Sequence, residues 1–497
     1  MKSRLITVLG AAAILLFGLN GSVFHTRFDL TEGRVYSLSP VTRTMLEELP
    51  GEVLITYYRS SILEDLVPGV AEVEDYLRSF ASAAGSVVDL RFSDASGEPF
   101  SESVGDLDLT PLRLELPREE ADRTTYAGVV LRLDGQTVTI PRVLGIDRLE
   151  YDLALGLRRL TTGSLPTLVV VEADPRLRFA RDFRLLHNRL RDRYNIVVAA
   201  GPADVPADTA AFLVLGPDID PTLAAVVERL LAGGAGALFA FDGADPEDEG
   251  PRRTPGATQR LLSEYGIEVQ PAIVLDRENV LVPFNRVGAD GGRVAYEPYP
   301  YWIEVQPQNV AGDHPVTAGF AGLTLFWASP LARAAGVGPD EDGAGARVVA
   351  ATTDDSWTVV PPVSMEAEAA RRSQDLTTSL AIERPLVMAY GGAASQEPRL
   401  MVVGDWEFAS DLVSAADAGH NLEFVLNALE WTSGDEDLLS IRVRGARDQR
   451  IAPAEGAAGR RRRSFVEVAG MVVVPALWFV AGTIIVMRRR RRGEPVQ

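Results

Sequence analysis

Both ends of this chain carry an apolar run long enough to cross a lipid bilayer, and everything between must fold around that fact. Leu5 to Phe24 holds no charged side chain, and Phe465 to Met487 holds one, Glu467, near its start. At about 1.5 Å of rise per residue, roughly 20 apolar residues span a hydrocarbon core of about 30 Å. Pro475 removes one hydrogen bond from the second run, a loss that membrane helices tolerate. A cleaved signal peptide is the alternative for the first run. Leu19-Asn20-Gly21 and Asn20-Gly21-Ser22 make poor cleavage sites, so an uncleaved anchor is expected. Lys2 and Arg4 precede the first run, and Arg488 to Arg492 follow the second. The positive-inside bias then places both termini in the cytoplasm and the bulk of the chain outside the inner membrane. Arg460 to Arg463 oppose this from the outer flank, so the N-terminal charges and the even number of spans decide the assignment.

Charge and missing residue types narrow the function. The formal net charge of −20 sits on an interior far more acidic than the two basic ends, which repels nucleic acid. The arginine-rich ends suit anionic lipid headgroups, so the bilayer is an expected partner and nucleic acid is not. There is no cysteine, and therefore no disulfide, thiol nucleophile, cysteine-ligated zinc or iron–sulfur centre. Lys2 is the only lysine, which excludes a Walker A loop and a pyridoxal Schiff base from the interior. No cofactor is expected.

Between the spans the pattern is α/β. Val53 to Tyr58 and Val87 to Phe92 read as strands, with Val70, Val73, Leu77 and Phe80 forming a helix face between them. Asp134-Gly135 between two apolar runs signals a hairpin, and Leu149, Leu153, Leu157 and Leu160 a closing helix. Further on, the strands Thr167–Val171, Ile196–Ala200, Ala211–Leu215 and Ala237–Phe241 alternate with amphipathic helices. Asp220 caps one helix with Pro221 at its first position, and Gly233-Gly234 stops it. Such alternation predicts a parallel sheet covered on both faces, with Leu386–Ala389 and Leu400–Val403 as late strands.

The expected organisation follows in order. Residues 1–26 are an anchor, 27–49 a juxtamembrane segment and 50–162 a small α/β domain. A central α/β domain covers 163–444, with a Gly-, Pro- and Ala-rich insertion of loops and short strands at about 276–374. A stalk (445–463), a transmembrane helix (464–488) and a basic cytoplasmic tail (489–497) complete the chain.

Catalytic signatures are missing. There is no G-x-S-x-G elbow, H-E-x-x-H helix or G-x-G-x-x-G turn, and no two of the four histidines share metal-ligand spacing. Neither an enzyme nor a metal site is expected. The densest polar motif is Gly404-Asp405-Trp406-Glu407-Phe408 with Asp411, directly after a predicted strand. Open α/β sheets bind ligands at that end, so Asp405, Glu407 and Asp411 are candidate contacts for a cation or sugar. The alternative is that Asp405 caps a turn while Glu407 and Asp411 face solvent.

Several segments together resemble a family. Asp29-Leu30-Thr31-Glu32-Gly33-Arg34-Val35-Tyr36-Ser37-Leu38-Ser39-Pro40 is similar to the D-L-T-x-x-x-x-Y-S-L-S-P signature of auxiliary subunits of ABC-type transport systems, the gliding-motility-associated kind included. Leu215-Gly216-Pro217, Leu262 to Asp276, His314-Pro315-Val316, Val402-Val403-Gly404-Asp405 and Asn421 to Ala428 resemble later segments of that family. The resemblance implies a central domain like class I glutamine amidotransferases, without their chemistry, since no cysteine is present. It also implies an ATPase and a multi-span permease as separate partner chains. Asp29, Leu30, Tyr36, Leu38 and Pro40 are the candidate partner-binding residues, with packing of Tyr36 and Leu38 beneath the first α/β domain as the alternative. The expected function is a non-catalytic, membrane-anchored auxiliary subunit whose outer domain binds substrate or braces the permease. Two others stand beside it: a free-standing envelope protein binding glycan or peptidoglycan, and a hydrolase using Asp405 and Glu407 as an acid/base pair.

Overall fold

The computed structural model describes residues 38–96, 107–114, 123–247, 250, 256–288, 291–334, 345–376, 382–391 and 398–445. Both apolar end runs, the stalk beyond Gly445 and the basic tail lie outside them. Among the described residues, no helix is long and apolar enough to cross a membrane.

The first domain is built on a four-stranded sheet. Its strands are β1 (Val53–Arg59), β2 (Val88–Asp94), β3 (Ala127–Leu133) and β4 (Gln136–Ile140), in the order β2-β1-β3-β4. β1 and β2 run parallel, joined through helix α2 (Pro68–Ala84), which buries Val70, Val73, Leu77 and Phe80. β3 and β4 turn on Asp134 (φ 48°) and Gly135 (φ 82°), the left-handed pair that a tight hairpin of the right twist demands. Helix α3 (Leu149–Thr162) closes the domain, with Leu149, Leu153, Leu157 and Leu160 in its core.

This domain starts earlier than residue 50. Helix α1 (Pro40–Glu47) begins with Ser39 as its cap and Pro40 at its first position, and its Leu46 joins the core with Leu38. The Glu150 carboxylate on α3 accepts from the Ser39 N–H at 2.6 Å and the Thr42 hydroxyl at 2.8 Å, satisfying donors at the open end of α1. The stretch expected to be juxtamembrane is therefore, from Leu38 onward, a layer of the folded domain.

The central domain is a seven-stranded sheet of β5 (Thr167–Glu172), β6 (Asn195–Ala199), β7 (Thr209–Leu215), β8 (Gly236–Ala240), β9 (Arg347–Ala351), β10 (Pro385–Tyr390) and β11 (Leu400–Val403). Their order is β9-β10-β11-β8-β7-β5-β6. All neighbours from β11 to β6 pair parallel, as the alternation predicts. β10 departs from that expectation: it is antiparallel to both β11 and β9. Side chains alternate across the sheet. Leu168, Val170, Leu213 and Leu238 pack with helices α4 (Arg184–Leu190) and α7 (His420–Thr432) on one face. Val169, Phe212, Val214 and Phe239 pack with α5 (Pro221–Ala232) and α6 (Ala257–Glu264) on the other. The start of α5 forms as its sequence dictates: the Asp220 carboxylate accepts from the Thr222 and Leu223 amides, and Gly234 (φ 97°) ends the turn after the helix.

The insertion is more ordered than loops and short strands. Asn279–Gly288 and Gly291–Glu304 form a long antiparallel hairpin, extended by Thr324–Phe326. Arg347–Ala351, inside the expected insertion, is an edge strand of the main sheet.

A last helix, α8 (Glu436–Gly445), returns to the first domain. Its Leu438 and Ile441 pack with Tyr151, Ala154 and Leu155 of α3 and against Val41 and Met45 of α1. Across the same junction the Tyr151 hydroxyl donates to Glu430 and Arg158 donates to Asp435. Thr432, at the end of α7, sits against Gly236 at the start of β8, so the first domain attaches at the amino end of the parallel strands. The carboxyl end of the sheet faces away from it.

Candidate functional site: an acidic crevice at the carboxyl end of the sheet

Three parallel strands each deliver an acid two residues past their last residue: Asp174 after β5, Asp242 after β8 and Asp405 after β11. β11 and β8 are neighbours, which brings Asp405 beside Asp242. Carboxylate oxygens of Asp242, Asp405 and Glu407 lie within 4.8 Å of one another.

Backbone contacts fix this group. The Gly404 carbonyl accepts from the Ser329 N–H at 2.6 Å, and a Cβ at Gly404 would stand 2.1 Å from the Ser329 carbonyl oxygen, so only glycine fits. One Asp405 oxygen accepts from the Phe326 N–H, and the other from the Phe408 N–H at 3.0 Å, capping the short turn Glu407–Ala409. Asn421 of α7 ties the same loops together. Its Oδ1 accepts from the Thr324 N–H at 2.8 Å, and its Nδ2 donates to the carbonyls of Thr324 at 2.7 Å and Phe408 at 2.8 Å. Gly243 donates its N–H to the Ser329 hydroxyl at 3.0 Å beside Asp242.

In front of these acids opens a crevice of about 410 Å³ lined by Asp174, Asp242, Glu407, Arg176, Trp327 and Trp406, among others. Arg176 is held by Asp174 at 2.8 Å and Arg181 by Asp182 at 2.7 Å, so both guanidiniums are engaged on the crevice wall. Trp327 adopts φ 52°, an outlier for a bulky side chain, and its Nε1 donates to the Tyr299 hydroxyl.

Burial sets the electrostatics. It pushes the Asp405 carboxyl well above the usual carboxylate range, against the pull of its backbone amide donors and of Glu407. Burial pushes Glu407 up as well, and the like charges of Asp242 and Asp405 push it further, with a hydrogen bond to Asp405 that keeps the proton on Glu407. Asp405 is fully buried, and each of its oxygens accepts a backbone N–H. Three hard oxygen donors, with neither sulfur nor imidazole, would suit a divalent cation.

The sequence candidates separate. Asp405 and Glu407 come together as expected, joined by Asp242, which the sequence reading missed. Its signal was the repeated acid just past a parallel strand. Asp411 does not join them. Its carboxylate accepts from the Arg184 guanidinium at 2.8 Å and the Leu185 N–H at 3.0 Å, capping α4. That pairing sets Asp411 apart from the Asp242, Asp405 and Glu407 group. The reading in which Asp405 merely caps a turn while Glu407 faces solvent also needs correction, because the Glu407 Oε2 is buried. Of the partner-binding candidates, Asp29, Leu30 and Tyr36 lie outside the described residues. Leu38 is 7 % exposed and belongs to the core of its own domain, so it has no surface left for a partner. Pro40 is exposed as the first residue of α1.

Comparison with known families matches residues 165–428, more than half of the chain, to an ABC-type uncharacterized transport system family. The chain belongs to that family. Residues 32–132 match a domain of unknown function, DUF7088, which covers most of the first α/β domain. An uncharacterized protein of Borreliella burgdorferi (strain ATCC 35210) is 22 % identical over 513 positions, covering 97 % of each chain. Among solved structures, the mmIFT52 N-terminal domain aligns with 54 % of this chain and 97 % of its own, at 16 % identity and a TM-score of 0.35. The exo-beta-1,4-mannosidase Op5Man5 of Opitutaceae bacterium strain TAV5 aligns with 75 % of this chain and 50 % of its own, at 12 % identity and a TM-score of 0.24. Neither score carries an inference.

Proposed function

We propose that this chain is a non-catalytic, membrane-anchored auxiliary subunit of an ABC-type transport system. Leu5–Phe24 and Phe465–Met487 would be its two transmembrane helices, both termini would be cytoplasmic, and the two α/β domains would stand outside the inner membrane. The family membership over residues 165–428 carries this reading. The single lysine at position 2 supports it: phosphoryl transfer needs a P-loop lysine and a metal cradle, so ATP turnover belongs to a separate ATPase chain working with a multi-span permease. The gliding-motility-associated kind is the branch that the Asp29–Pro40 segment resembles, and a central domain like the glutamine amidotransferases, stripped of its nucleophile, fits the parallel sheet. The outer domains would bind substrate or brace the permease, with the crevice at the end of the sheet remote from the domain junction. A free-standing glycan-binding role is the second reading, favoured by Trp327 and Trp406 in the crevice. Purified full-length protein is expected to show no ATP hydrolysis above a mock preparation. Turnover that co-elutes with the chain and persists after contaminating ATPases are removed would contradict the proposal.

A further inference from the structure

We infer that the cleft between the first domain and α4 is a binding site for a phosphate group, which Arg142 and Arg159 would hold. The sequence builds one wall at helical spacing: Arg148 at the start of α3, then Asp152, Gly156 and Arg159, fall on one face of that helix. Thr137 and Thr139, alternate residues of β4, form a second wall with Arg142 just past that strand. Arg189 in α4 and Arg193 just past its end form the third. Together they enclose a cavity of about 590 Å³. That volume suits a small molecule, and such sites occur preferentially at domain interfaces. Three of the arginines are already engaged. Arg148 and Arg189 converge on Glu423 of α7 at 3.5 and 2.8 Å, and Arg193 lies over the Tyr151 ring and donates to its hydroxyl at 3.1 Å. Arg142 and Arg159 make no ion pair and no side-chain hydrogen bond among the described residues, although Asp108, Asp152 and Asp192 share the lining. Arg159 is half-buried, so its guanidinium has given up part of its water without gaining a carboxylate. The planar fork of arginine matches phosphate oxygens two at a time, and the exposed Thr137 hydroxyl offers a further donor. In a chain of net charge −20, a cavity with five arginines against three aspartates is a local reversal of charge. It draws in a small anion, while the acidic remainder repels a nucleic-acid strand. A soluble phosphate and a phospholipid headgroup present this same chemistry.

This inference stands apart from the transport role. It is tested on full-length protein in detergent and phosphate-free buffer, titrated calorimetrically with sodium phosphate and, separately, with dihexanoyl phosphatidylglycerol, which presents a phosphodiester headgroup on a soluble lipid. One saturable equivalent of at least one probe is expected, raising the melting temperature and binding more weakly as NaCl is increased. Tighter binding of inorganic phosphate assigns the site to a soluble phosphate, and tighter binding of the lipid assigns it to a headgroup. Arg142→Gln and Arg159→Gln should each weaken that binding at least about tenfold, since each removes charge-assisted hydrogen bonds. The two residues come from different elements and neither variant breaks an ion pair of the fold, so a folding defect in one, detected by circular dichroism, leaves the other informative. Arg229→Gln, on the exposed face of α5, should bind as wild type does. The inference is overturned by any of three results: no saturable binding of either probe up to roughly 10 mM, beyond the millimolar end of the affinity scale; unchanged affinity in both cleft variants; or equal weakening by Arg229→Gln, which would mean diffuse attraction to surface arginines.

Discussion

His314 shows how one residue can set a pH dependence far from any site. It is 3 % exposed, packs edge-on against Trp431 at 4.8 Å, and its Nδ1 accepts the Val316 N–H at 3.2 Å. A ring nitrogen that accepts cannot also hold a proton. Burial lowers its pKa from 6.5 to about 4, with Arg347 adding to the shift and Asp313 opposing it. Below pH 6.5 the unfolded chain therefore binds a proton that the folded chain refuses. The stability this group supports is complete above pH 6.5, drains away as pH falls toward 4, and changes no further below that. By pH 5 the loss is about 2 kcal/mol. His314→Asn keeps an acceptor for Val316 and removes the titration. Urea denaturation at pH 7.5 and 5 should lose about 2 kcal/mol more in wild type than in the variant. Parallel losses in both would contradict the burial argument.

Leu38 and α1 form the element whose role changes most between sequence and structure. The D-L-T…Y-S-L-S-P resemblance made this stretch a partner surface, yet Leu38 and Leu46 lie in the domain core and Glu150 secures the start of the helix. Leu38→Ala should then destabilise the first domain by about 2–4 kcal/mol, as buried leucine truncations do. Denaturation that leaves stability within about 0.5 kcal/mol of wild type, the range of ordinary surface changes, would return Leu38 to the surface. What was legible in the sequence was local. Asp220-Pro221 and Gly233-Gly234 bound α5, Asp134-Gly135 turns the hairpin, and leucines four apart give α3, because each signal acts within a few residues. What was not legible depends on distant pairing. The reversal of β10, the edge strand β9 and the long hairpin around residues 279–304 come from partners far along the chain. Asp242 was hidden for the same reason, since only the β8–β11 pairing brings it to Asp405. Asp411 misled because nearness in sequence to Asp405 stood in for nearness in space.

At the scale of the whole molecule, the two ends of the sheet have different neighbours. The amino end meets the first domain, where α1, α3 and α8 pack together and both described chain ends, Leu38 and Gly445, belong to that assembly. The carboxyl end holds the crevice. That polarity suits a subunit that is held at one end and engages a ligand or a second protein at the other. The central claim is membership of a transport complex, and the direct measurement is affinity purification of the tagged full-length chain from its native membranes in mild detergent, followed by mass spectrometry and an ATPase assay. The account predicts an ATPase chain and a multi-span permease in stoichiometric amounts, with ATP turnover that disappears when the ATPase is removed. Recovery of the chain alone, or only with copies of itself, under conditions that keep other ABC complexes intact would contradict it.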